Sequence, residues 1–276
     1  MEHIPLTLFS VSLQAAVGIM LFVVIGSLLG KDKVFKSAIV VAAVLGVVGM
    51  LASVIHVGRP LSAVNALFQF STSWLSREIW FTGIFVGLTC LAAILLLVKP
   101  ASKQVVTALA YGAALVGLID VFIMATIYSS TSVLAWKSIA TYVDFYATAI
   151  SLGGMLFLVL SIKEAVEMRN IVILSVAIAV AVQAVTVVPY LISLGSNASV
   201  FAQSSFAILS DMAFMNVLKW VTILAGVGIS LWMSRNEASK AIVGTIYGSA
   251  ALLIIGQSVG RYLFYAIMVL PQVGLS

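Results

Sequence analysis

Two histidines and nine carboxylate residues are all the imidazole and carboxyl chemistry that this chain of 276 residues carries, and they are unevenly placed. His56 closes one long apolar run and Glu78 opens the next. An imidazole changes charge near neutral pH, and a carboxylate serves as a general base or relay, so the two together suit acceptance of protons from a hydroxyl donor. Arg59, Asn65 and Arg77 lie in the segment between them, and Asp120 lies within a later apolar run. Asp144, Asp211 and Lys219 fall near the ends of further runs, and Arg261 falls inside the last. Ionisable groups at such positions are costly in a bilayer and mark a site, a pathway or a pairing partner. A single cysteine, Cys90, excludes an intrachain disulfide and a cysteine-ligated cluster.

The elements that must position these groups follow from composition. Hydrophobic residues make up 63% of the chain and charged residues 8%, against roughly 25% charged in a soluble domain. That much apolar area requires lipid as the outer solvent. The net charge of +5 does not point to nucleic acid, because the basic residues are scattered over short connections. Apolar runs long enough to cross the hydrocarbon, which takes about 20 residues, are expected near 6–30, 37–57, 79–98, 104–128, 142–162, 171–194, 214–233 and 241–270. The expected fold is therefore an all-α integral membrane protein, a single bundle of eight transmembrane helices with brief connections.

Orientation follows from the basic residues. Lys31, Lys33, Lys36, Lys99, Lys103, Lys163, Arg169, Arg235 and Lys240 fall in connections on one side, against Arg59, Arg77 and Lys137 on the other. Basic connections stay in the cytoplasm, so both termini are expected outside. The first run is too long, and its leading residues too poor in basic charge, for a cleaved signal peptide. On this arrangement the ionisable residues gather at the outer pole. Asp120 sits about 13 Å deep at 1.5 Å per residue, too far and on too short a side chain to reach the surface. A pairing with Arg261 or Lys219, or a place on a proton path, is expected for it. Lys219, Asp211 and Asp144 read most simply as interfacial anchors.

The segment between the second and third runs differs from the other connections. Gly58 and Pro60 break the second helix, and Leu61, Val64, Leu67 and Phe68 repeat at helical spacing, which predicts a short interfacial helix. Trp74 suits the headgroup belt, and Ser76 is the expected cap of the third helix. The segment returns the chain so that His56 and Glu78 meet at the membrane surface. Each also has a plainer role open to it: a cation at a helix C-terminus for His56, and a first-turn acid or a partner of Arg77 for Glu78.

The pattern His56-x-Gly58-x-Pro60, followed by Asn65 and by Ser73-Trp74-Leu75-Ser76-Arg77-Glu78-Ile79, resembles the membrane anchor subunit of the dimethyl sulfoxide reductase family. The order of eight helices is similar as well, so the resemblance covers essentially the whole chain. It implies an anchor in the cytoplasmic membrane that works in anaerobic respiration with a molybdopterin catalytic subunit and an iron–sulfur, ferredoxin-like electron-transfer subunit. Such an anchor oxidises menaquinol and passes the electrons to the iron–sulfur subunit, is not active alone, and carries no haem or metal. His56 and Glu78 match the family's quinol-site residues, and Asn65 and Arg77 match positions of its pattern. Arg59 and Asp120 are candidates for support of the same site. The last four helices carry no motif that the resemblance matches.

The residues support that reading on their own account. Oxidising a quinol releases two electrons and two protons, and His56 with Glu78 supplies two acceptors. A pair of axial histidines on facing helices is out of reach of His56 and a tail residue, His3, which excludes a dihaem cytochrome. With no redox metal of its own the chain needs an external acceptor docked close by, and Leu67, Phe68, Phe70 and Trp74 form an apolar-aromatic surface for it. Two other readings stand beside this one. A transporter or permease would gather polar groups at the midplane, whereas here they gather at one pole. A purely structural anchor would bind no quinol.

Overall fold

The computed structural model describes residues 3–30, 33–56, 67–98, 103–235 and 239–270. Within them lie nine α-helices and no strand: α1 (His3–Leu29), α2 (Lys36–His56), α3 (Trp74–Val98), α4 (Lys103–Ser129), α5 (Ile139–Leu160), α6 (Arg169–Gly195), α7 (Val200–Asp211), α8 (Ala213–Arg235) and α9 (Ser239–Ala266). All but α7 are long and apolar enough to cross a membrane. Helix is what such sequences must form, because hydrocarbon offers no partner to a free backbone N–H or C=O. Short 3₁₀ turns at Leu67–Gln69, Leu134–Trp136 and Val166–Met168 punctuate the connections.

The spans run alternately up and down, so α1, α3, α5 and α8 begin at the pole where α2, α4, α6 and α9 end. That end is called the N-terminal pole below. The helices fall into two groups, α1–α4 and α5, α6, α8, α9, joined where α1 and α4 pack on α5 and where α1 packs on α9. α1 is the most enclosed span; its Leu13, Ala16, Val17, Ile19 and Met20 are fully buried. Lipid tails are as apolar as leucine, so the spans are held by close van der Waals fit rather than by escape from water. The tightest contact sets Gly18 of α1 against Gly153 of α5, where an added Cβ on either would strike the other helix's backbone.

The expected spans correspond to the eight long helices, with differences at their ends. α3 begins at Trp74 rather than near residue 79, capped by Ser73, whose Oγ accepts from the Ser76 amide at 3.3 Å. Ser76, the expected cap, instead buries its hydroxyl inside the helix's first turns. α9 stops at Ala266, short of the expected 270. α7 has no counterpart among the expected spans, because its 12 residues are too short to register as one. The interfacial helix expected after Pro60 falls largely on 57–66, outside the described residues, and its described end is the Leu67–Gln69 turn.

α7 and the Leu134–Trp136 turn form a second, smaller apolar cluster at the N-terminal pole, with Val133, Leu194, Ala202, Tyr265 and Ile267. Trp136 stacks on Phe264 at 5.3 Å and its indole N–H donates to the Phe264 carbonyl oxygen at 2.8 Å. Tyr128 meets Trp136, Phe145, Phe264 and Tyr265 edge-on or tilted. This aromatic layer covers the polar groups beneath it.

Candidate functional site at the N-terminal pole

Glu78 stands in the second turn of α3 with only 8% of its surface exposed, and its Oε1 has no hydrogen-bond partner among the described residues. Thr82 lies one turn deeper on the same face, about 6 Å along the axis. Its hydroxyl donates to Asp120 Oδ2 of α4 at 2.9 Å. Asp120 is fully buried, and its other oxygen, Oδ1, is also unpartnered. Glu78 lies within electrostatic reach of Asp120, Tyr128 and Tyr265. The Ser76 hydroxyl is likewise buried and unpaired. Buried polar atoms are nearly always satisfied, so the open ones on Glu78, Asp120 and Ser76 mark this pole as a place where a hydrogen-bonding guest is expected.

The expected pairing of Asp120 with Arg261 or Lys219 is not what the fold makes. Asp120 takes Thr82 instead, and both cations go to Asp144. His56 is the last residue of α2, which packs between α1 and α3 at the same pole. The His56 side chain, Arg59 and Asn65 lie outside the described residues, so the meeting of His56 with Glu78 does too.

Arg77 and the docking candidates form a single surface feature. The Arg77 guanidinium donates to the carbonyl oxygens of Phe70 at 3.0 Å and Ser71 at 2.7 Å, and lies over the Trp74 ring at 4.2 Å. The Trp80 indole donates to the Leu67 carbonyl oxygen at 3.0 Å. Arg77 thus clamps the 67–74 segment onto the head of α3, while Phe68, 83% exposed, and Phe70 point outward. Arg77→Ala removes two charge-assisted bonds, each of about 1.5–3 kcal/mol. We expect faster proteolytic cutting between residues 67 and 73 in purified protein, with the thermal midpoint of the bundle unchanged.

A layer of polar side chains, among them the expected anchors Asp144 and Lys219, crosses the second group of helices. Asp144 of α5 receives Arg261 of α9 at 3.2 Å and Lys219 of α8 at 3.5 Å. Gln183 of α6 donates to Asp144 Oδ1 at 2.7 Å and forms a reciprocal amide pair with Gln257 of α9, which also donates to Ser151 Oγ at 3.1 Å. The Arg261 side chain is wholly buried, stacks over Phe145 at 3.7 Å, and reaches across to Gln14 Oε1 of α1 at 3.0 Å. Gly260 makes room for Lys219: a Cβ there would meet Lys219 Cε at 2.7 Å. Gln14, Gln183 and Gln257 are amides deep inside apolar runs, and that was the signal available in the sequence. Among the described residues no group of three or more histidine, cysteine, aspartate or glutamate side chains is placed to hold a metal ion.

Comparison with known proteins bears on residues well beyond this pole. The model of the DMSO reductase anchor subunit family (DmsC) matches residues 1–267. A protein of Escherichia coli (strain K12) named anaerobic dimethyl sulfoxide reductase chain YnfH is 31% identical over 272 residues, covering 95% of this chain and 94% of that one. The C subunit of the anaerobic dimethyl sulfoxide reductase of the same organism is 28% identical over 273 residues, covering 95% and 94%. The C subunit of the reductase of that name from Haemophilus influenzae is 26% identical over 271 residues, covering 96% and 94%.

Proposed function

This chain belongs to the DMSO reductase anchor subunit family, a membrane anchor of an anaerobic reductase, and from that premise we propose that it oxidises menaquinol at the pole where α3 begins, beside Glu78. The observation that carries the reading is the Glu78 carboxyl, buried yet with one oxygen open, at a pole where Asp120 and Ser76 also keep unpaired buried atoms. A quinol hydroxyl gives its hydrogen bond, and then its proton, to Glu78. His56, at the end of the neighbouring helix, takes the second proton or holds the second hydroxyl. Asp120, fixed by Thr82 one turn below, supports the pocket from its floor, and Arg59 and Asn65 are the further supporting residues expected of the site.

The two electrons leave for an iron–sulfur subunit docked on the same pole, against Leu67, Phe68, Phe70 and Trp74, and from there reach a molybdopterin catalytic subunit. Arg77 contributes by holding that docking surface in shape. The basic connections put the opposite pole in the cytoplasm, with both termini outside the inner membrane.

Removal of a positioned proton acceptor lowers a rate by about 10²–10⁴-fold. Glu78→Gln in the assembled complex is therefore expected to lower menaquinol-driven reduction at least a hundredfold, and His56→Arg to abolish it. Reduction driven by a soluble dye, which bypasses the anchor, should stay at the parental rate. Quinol oxidation retained in both variants would leave the chain as an anchor alone.

A further inference from the structure

A second site is built into the other group of helices. Beneath the aromatic layer, between α5, α6, α8 and α9, lies a cavity of about 80 Å³ with Asp144 and Lys219 both on its wall. Lys219 is 9% exposed. Its ammonium stands 3.5 Å from Asp144 Oδ1, beyond the 2.7–3.2 Å of a full N–H···O bond. A buried ammonium with three donors and one distant carboxylate is left short of acceptors. The rest of the wall includes Leu191, Leu263 and Phe264, together with Tyr190 and Asn216. An apolar pocket with a few convergent polar groups is the usual form of a small-molecule site.

The two charged groups specify the chemistry. A donor and an acceptor side by side suit a group that both gives and takes a hydrogen bond from one oxygen, which is a hydroxyl. A carbonyl or phosphate oxygen would take from Lys219 but meet Asp144 as a second acceptor. The flanking leucines and the Phe264 ring favour an aromatic carrier for that hydroxyl, and the volume admits one edge of a ring entering hydroxyl-first.

We propose that the Asp144–Lys219 cavity is a second binding site for the hydroxyl edge of a membrane quinol, separate from the Glu78 pocket. This rests on the reading of the chain as a quinol-oxidising anchor. The hydroxyl oxygen accepts from Lys219 Nζ and its hydrogen is donated to Asp144; no bond is made or broken.

The test is photolabelling of the assembled, membrane-reconstituted complex with a naphthoquinol that carries a diazirine beside its ring, the label being mapped by mass spectrometry. Label is expected on two regions, around Trp74–Thr82 and around residues 187–191 and 260–264, with excess unlabelled naphthoquinol suppressing both. Lys219→Met, which leaves Asp144 and Arg261 as an even pair, should cut labelling of the second region at least fivefold while the first keeps its label. Asp144→Asn should do the same, and Glu78→Gln should do the reverse. No label in the second region of the parental complex overturns the site. So does label there that unlabelled naphthoquinol leaves in place but added anionic phospholipid removes, or label that neither Lys219→Met nor Asp144→Asn lowers. Label confined to the second region would instead sink the Glu78 pocket and leave this one standing.

Discussion

Gly153→Val will leave little folded protein in the membrane. At that position an added Cβ lies 2.2 Å from the Gly18 carbonyl carbon, and a Cβ on Gly18 would lie 1.8 Å from the Ala149 carbonyl oxygen. The obstacle on both sides is backbone. Overpacking that side chains can absorb costs about 1–3 kcal/mol, but here nothing can rotate away and α1 must part from α5. α1 also carries the contacts to α2, α4 and α9, so its displacement is felt in both groups of helices. Gly154→Val supplies the control, because the atoms nearest its Cβ would belong to the side chains of Phe22, Val176 and Val172. Yield in isolated membranes and the thermal midpoint in detergent read the difference. A Gly153→Val protein that melts like the parent would mean that the helices are not held at this point.

Asp144→Leu is expected to cost about 3–5 kcal/mol, the range for removing one partner of a buried ion pair. The single carboxylate serves two cations, and the Arg261 side chain has no exposed surface, so its charge has nowhere to go. Lys219, near the end of α8, retains a route to the interface along its flexible stem. Adding Arg261→Met to Asp144→Leu should therefore recover much of the loss, which a double-mutant cycle of thermal midpoints in detergent measures. If Asp144→Leu alone melts with the parent, the network does not hold the second group together.

The eight spans were legible because the bilayer imposes one length and one composition on each. α7 was not, since 12 residues with mixed polarity match neither a span nor a turn. The gathering of charge at one pole was legible in the same way, from position along each run. Partners were harder. Asp120 was matched to a cation because charge invites charge, yet the fold gives it a threonine on the neighbouring helix, a residue with no such mark in the sequence. Asp144 passed as an anchor from its place near a helix end. Only the crossing of α5, α6, α8 and α9 shows it to be enclosed by Gln183, Lys219 and Arg261. The burial of Glu78 near the start of α3 was not legible from composition alone, since the sequence placed the helix start and its cap later than the Ser73 cap and Trp74 start that the fold shows.

Arg261 belongs to the last span, yet it answers Gln14 in the first and Asp144 in the fifth. Until that last span has entered the bilayer, Gln14 is without its guanidinium partner and Asp144 has Lys219 as its one cation. The chain thus carries its own check on completion: a polypeptide interrupted before α9 leaves the amides of Gln14 and Gln183 without the partners that only the last span supplies.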